Sequence, residues 1–169
     1  MLAQSVKNFM RQQGFPEEPQ DACNMRFEGL YFQPRIVFAL VLLGVALQQP
    51  AIFLGIAAVL IWNVLFPTLN PFERAYNRWM ALPRGRLPLT PAPAPRRLAQ
   101  GVNAAFNLAS GLLLIQGLST ASWVVQASLV AAFSLLLFAR FCAGAYVFHL
   151  LRGEVAFANS TLPWARGAR

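Results

Sequence analysis

Apolar residues concentrate in long blocks along this chain, and the polar breaks between them set the expected topology. The first block runs from Ile36 to Phe66 and is interrupted by Gln48-Gln49-Pro50. Read as one kinked helix, it would put the basic N-terminal region and the basic Phe72–Arg97 segment on opposite sides of a membrane. Read as a tight hairpin, with spans at 31–49 and 50–66, it keeps both on the cytoplasmic side, as the positive-inside rule prefers. The hairpin is the better reading, and it requires Arg35 to snorkel to the interface. A third span is expected at 98–118 and a fourth at 122–142, joined by a turn at Gly117-Leu118-Ser119-Thr120.

The last apolar block does not stop where the fourth span should. As a single helix rising about 1.5 Å per residue, Ser122–Arg152 would run roughly 45 Å against a hydrocarbon core of about 30 Å. It must leave the bilayer or bend, and Arg140 marks the depth at which the overshoot begins. Phe141, Tyr146 and Phe148 beyond it form an apolar, aromatic end suited to docking.

The flanking segments carry shorter patterns. Leu2, Val6, Phe9 and Met10 recur at helical spacing with Lys7 and Arg11 opposite, which predicts a short amphipathic helix lying on the membrane surface. Gly14-Phe15-Pro16 ends it, and the acidic run to Asp21 reads as a loop within the N-terminal segment 1–30. In the central connection, 67–97, an interfacial helix over Pro71–Leu82 is expected after the cap Asn70. From Pro83 onward the prolines and arginines read as a semi-rigid extended spacer. Residues 153–169 form a cytoplasmic tail.

The fold class expected is therefore all-α: an integral membrane four-helix bundle of two hairpins, 31–152, with short interfacial helices. Pro34-Arg35 and Pro95-Arg96 open the two hairpins alike, a weak hint of a parallel repeat.

Composition agrees with this picture. Hydrophobic residues make up 57% and charged residues 12% of the 169, against roughly half and a quarter in soluble domains. The net charge of +8 comes from 14 Lys and Arg against 6 Asp and Glu. The arginines flank apolar segments, so they read as topology signals and nucleic acid is not an expected partner. The first 35 residues carry Glu17, Glu18, Asp21 and Glu28 and no apolar core of a signal peptide. Cys23 and Cys142 have neither disulfide-framework nor metal-site spacing.

Candidate chemistry is sparse. Gln100, Asn103, Asn107 and Ser110-Gly111 share one face of the third span, an interhelical polar stripe with no ionisable group in it. A polar pathway for a substrate is the functional reading of the same stripe. Cys142 lies near Arg140, which would favour a reactive thiolate, although a single membrane-helix Cys also serves as a small packing residue. His149, the only histidine, offers one axial ligand to a haem or pigment, or an interfacial contact with headgroups. Arg140 reads as an interface anchor. Glu73, Arg74, Asn77 and Arg78 read as a solvated charge cluster. No catalytic triad, paired carboxylates, phosphate loop or metal set is present, so no enzyme, cofactor or metal is expected. Bound lipids are expected, and pigment or haem contact is the role left to His149.

Phe141-Cys142-Ala143-Gly144-Ala145-Tyr146, with Pro95-Arg96-Arg97-Leu98-Ala99-Gln100-Gly101 and Asn70-Pro71-Phe72-Glu73-Arg74, resembles an uncharacterised bacterial family of four-span membrane domains. The resemblance covers roughly Pro34 to Arg152. It implies the four-span fold in a bacterial protein, and the placement of the Lys and Arg residues leads to the expectation of an inner membrane location with cytoplasmic termini. Members with an F-C-x-G-C-x-x-Y-like signature suggest thiol or sulfur chemistry. Ala145 stands where the second cysteine would be, which counts against dithiol activity here. The leading expectation is a non-catalytic subunit that packs against other integral membrane subunits of a respiratory or photosynthetic complex. A small transporter and a thiol-handling protein using Cys142 are the alternatives.

Overall fold

Gln48 adopts a left-handed backbone, φ 48°, and Pro50 follows in the first turn of the next helix. That pair of residues turns the first apolar block into a hairpin. Proline is tolerated there because the N–H it lacks would have no partner in a first turn. The computed structural model describes residues 2–15 and 20–165, with side chains from residue 4 and, after the gap, from residue 25. The acidic stretch 16–19, the side chain of Cys23 and residues 166–169 lie outside the described residues.

The described chain is all-helical. Helices α1 (Leu2–Gln12) and α2 (Gln20–Leu30) precede α3 (Phe32–Leu47) and α4 (Pro50–Leu65). Helix α5 (Pro71–Tyr76) continues through one π turn and one 3-10 turn to Arg84. Then come α6 (Ala94–Ile115), α7 (Ser119–Ala139), α8 (Ala143–Leu151) and α9 (Val155–Ser160). Among the described residues three stretches are long and apolar enough to cross a membrane: Met25–Leu47, Ala94–Ile115 and Ser119–Ala139. Helix α4 is apolar but shorter, at 16 residues. At about 1.5 Å per residue it measures roughly 24 Å.

Helix α4 packs most extensively on α6, and α3 packs on α4 and α7. The two ends of the α4–α6 contact show it to be antiparallel. Near the start of α4, a Cβ added at Gly111 would come within 2.8 Å of Leu54. Near its end, Arg97 donates to the Val64 carbonyl at 2.9 Å, a cation on the C-terminal carbonyls. A core of Val37, Val41, Phe53, Leu60, Leu129 and Phe133 fills the interior. At the tip, which carries the two hairpin turns, Gln48 and Gln126 exchange amide hydrogen bonds of 2.9 and 3.3 Å. There too, Ser122 Oγ donates to the Ser110 carbonyl at 3.2 Å.

A second core closes the opposite end, the base, where both termini meet. Val6, Phe9 and Met10 of α1 are buried there with Leu30, Tyr31 and Tyr76. The amphipathic pattern of α1 thus forms a helix, but its apolar face covers the protein instead of a lipid surface. Phe9 packs edge-on against Phe27 at 5.5 Å, and the fully buried Asn8 amide donates to the Leu162 and Ala165 carbonyls. The two terminal segments are therefore knitted into the bundle and to each other.

The long last block bends. Arg140 takes the left-handed conformation, φ 56°, and both its N–H and that of Phe141 return to the Leu135 carbonyl. This helix-ending motif usually employs glycine at the left-handed position. Helix α8 then folds back onto the first turns of α6, so closely that a Cβ at Gly144 would lie 2.7 Å from the Ala99 Cα.

Candidate functional site: an amphiphilic cavity at the base of the bundle

Pro95 occupies the first turn of α6 and sets Arg96, Gln100 and Asn103 at i, i+4 and i+7 on one helical face. All three line a cavity of about 280 Å³, close to the lower end of the ~300–1,000 Å³ found for small-molecule pockets. Gln33 of α3 and Cys142 join them at the base, while Val37, Leu60, Leu129 and Phe133 make an apolar wall toward the bundle interior.

The polar end is buried and incompletely paired. Gln33 Oε1 accepts from Asn70 Nδ2 and from Gln100 Nε2, each at 3.2 Å. Asn70 Oδ1 in turn caps α5, accepting from the Phe72 and Glu73 amides. Gln100 Oε1 has no hydrogen-bond partner among the described residues, although Gln100 is only 8% exposed. Arg96 faces Glu73 at 3.8 Å, an ion pair too long to be a hydrogen bond. Burial pushes the Glu73 carboxyl above its ordinary range, with Arg96 pulling the other way.

Cys142 sits at the N-terminal cap of α8, and its own N–H donates to Gln12 Oε1 at 2.8 Å. Burial pushes the thiol up, opposed by the Ala145 amide, the Gln13 side chain and Arg96. Arg96 is a cation facing it, while Arg140 turns to the N-terminal helices. Its guanidinium donates to Ser5 Oγ at 2.6 Å and lies over the Phe27 ring, so this residue latches α7 to α1 and α2. Ala145, where the resembled signature has its second cysteine, is fully buried.

His149 has both ring nitrogens engaged, Nε2 with the Gln12 carbonyl at 3.1 Å and Nδ1 with Glu154 at 2.7 Å. Neither is free to ligate a haem or pigment metal. The hydrogen bond from His149 holds the Glu154 carboxyl below its ordinary range. Among the described residues no cluster of three His, Cys, Asp or Glu side chains is placed to hold a metal.

Phe141, Tyr146 and Phe148 are half-buried. Phe141 packs on Tyr146, whose hydroxyl donates to Asn159 Oδ1 at 2.8 Å, and Arg152 covers Phe148. Asn107 donates to both oxygens of Asn103 and does not reach the cavity.

The polar stripe of α6 thus divides, with Gln100 and Asn103 in the cavity and Asn107 beyond it toward the tip. The residues that sequence reasoning missed are Arg96, Glu73 and Gln33. Extending the stripe one turn toward the N-terminus reaches Arg96, so an ionisable group does join it. Glu73, read as solvated, is buried against that arginine.

A family model described as a domain of unknown function (DUF4395) matches residues 7–152, a range that contains every residue lining the cavity. The chain belongs to that family. No curated protein and no solved structure matches it.

Proposed function

We propose that this DUF4395 member is a non-catalytic multi-span membrane protein that takes an amphiphilic molecule from the bilayer into its base cavity, as a binding protein or carrier. The observation that carries this reading is the pairing of a buried guanidinium and an unpartnered amide oxygen at one end of a mainly apolar cavity. Buried polar groups without partners cost stability, and they recur where a ligand completes them.

The mouth supports the same reading. Val102 and Phe106 of α6 and Ser128 and Ala132 of α7 line the cavity and are exposed on the outside of the bundle. All four lie within helices long and apolar enough to cross a membrane. The opening would therefore face acyl chains, and a ligand would enter sideways. In the topology we favour, α3, α4, α6 and α7 are four spans of a bacterial inner membrane protein with both termini cytoplasmic. The arginines gathered at the base support it.

A second reading, an accessory subunit of a larger membrane complex, draws on Trp79, Leu82 and Trp164. They are 71%, 67% and 72% exposed, and they lie outside the long apolar helices. Migration at the size of a larger complex after gentle solubilisation would favour it.

The test of the binding reading is to extract the protein in its native lipid and identify what stays bound by mass spectrometry. An apolar or amphiphilic compound retained by the wild type and lost in Ala132→Trp, which plugs the mouth, is the expected result. Identical retention by both proteins would overturn it.

A further inference from the structure

We infer that the molecule held in this cavity has a neutral, hydroxyl-bearing head, as in a fatty alcohol, a monoacylglycerol or an alkyl phenol. This rests on the binding reading above and specifies its ligand. Two polar groups of the cavity lining, Arg96 and Gln100, are left incomplete among the described residues and ask for opposite things. The Arg96 guanidinium can only donate, and the Gln100 oxygen can only accept. They stand four residues apart on one helix face, where Cβ atoms are about 5–6 Å from each other. A single oxygen between them can serve both only if it accepts from Arg96 and donates to Gln100 Oε1. A hydroxyl does this.

The competing heads each leave something unmet. A carboxylate or phosphate satisfies Arg96 but presents further lone pairs to Gln100 Oε1. It also brings a second anion to a site where Glu73 already stands 3.8 Å from the guanidinium, and uncompensated charge in an apolar interior is costly. An ammonium head donates to Gln100 and repels Arg96. A ketone or ester accepts and does not donate, and a plain hydrocarbon meets neither demand. The apolar wall of Val37, Leu60, Leu129 and Phe133 receives the chain, which leaves the cavity between Phe106 and Ala132. Cys142 packs beside the head as part of the wall and undergoes no chemistry in this account.

The experiment uses purified full-length protein in detergent at pH 8, titrated with 1-decanol, decanoate and decane while its thermal unfolding is followed. Decanol is expected to raise the melting temperature saturably, at a concentration at least about tenfold below that needed with decanoate or decane. One buried hydrogen bond is worth about that factor. Gln100→Leu should erase the preference for decanol over decane. The wild-type ranking decides the matter even if that variant does not fold.

Decanoate or decane binding as tightly as decanol, with Ala132→Trp blocking it, would overturn the hydroxyl head and leave the cavity reading standing. If no compound shifts the wild type differently from Ala132→Trp, the cavity reading itself falls.

Discussion

The Arg96 guanidinium on α6 lies 3.8 Å from the Glu73 carboxylate on α5, and each side chain is 7% exposed. This buried pair ties the central connection to the bundle. Through Arg96 it also supplies the one formal charge among the described residues that line the cavity.

Breaking the pair from its two sides should not be equivalent. Removing one partner of a buried ion pair typically costs about 3–5 kcal/mol. Glu73→Gln strands a guanidinium that cannot shed its proton, so it should fall in that range. Arg96→Met strands a carboxyl whose folded-state value is already raised by burial, so that group can take up a proton. A carboxyl raised in the folded state contributes stability in full below its ordinary value and loses it as pH rises through the folded one. Arg96→Met should therefore regain stability as the pH is lowered, and Glu73→Gln should not. The double variant should cost less than the two losses added together. Unfolding curves in detergent across pH measure all three.

His149 and Glu154 give a pH dependence of the opposite sign. The Glu154 carboxyl is held below its ordinary value of 4.5, chiefly by the hydrogen bond from His149. Its contribution is complete above 4.5 and is lost as pH falls through the lower folded value. The melting-temperature gap between wild type and Glu154→Gln should close as the pH falls below 4.5. A gap that widens on acidification would contradict the assignment.

Two glycines in helices should respond oppositely to alanine. At Gly144 the new Cβ would meet the Ala99 backbone at 2.7 Å, so α8 must move off α6. The expected cost is about 1–3 kcal/mol, with the Cys142 side of the cavity loosened. At Gly55, exposed on α4, nothing lies within 4 Å. There the substitution should gain about 0.5–1 kcal/mol from helix propensity alone.

The sequence pattern made the long apolar helices legible, because local chemistry bounds them. Gln48 and Pro50 mark one turn, and Arg140 marks the end of α7. Helix α6 begins at Ala94, ahead of the Leu98 expected from the apolar pattern, since Pro95 fits a first turn. The tertiary use of an amphipathic face was less legible. Val6, Phe9 and Met10 predict a buried stripe but not what buries it, and the protein does so, not lipid.

The site was legible only in fragments. Gln100 and Asn103 stood out as amides in an apolar span. Arg96 was hidden by its company, because an arginine next to Arg97 at a span boundary reads as a topology signal. Glu73 was hidden by Arg74 and Arg78, which point to a solvated cluster. Only the packing of α5 against α3 and the α6 base brings Glu73, Asn70 and Gln33 to Arg96 and Gln100.

In the binding mode we propose, a chain from the bilayer enters between α6 and α7 and ends at Arg96 and Gln100. Photolabelling with an alkyl alcohol that carries a diazirine along its chain tests this most directly, with adducts located by peptide mass spectrometry. Adducts are expected on Phe106, Leu129, Ala132 and Phe133, competed away by 1-decanol and absent in Ala132→Trp. Adducts confined to outward-facing residues such as Leu108, Leu112 and Val124, unaffected by decanol, would contradict it.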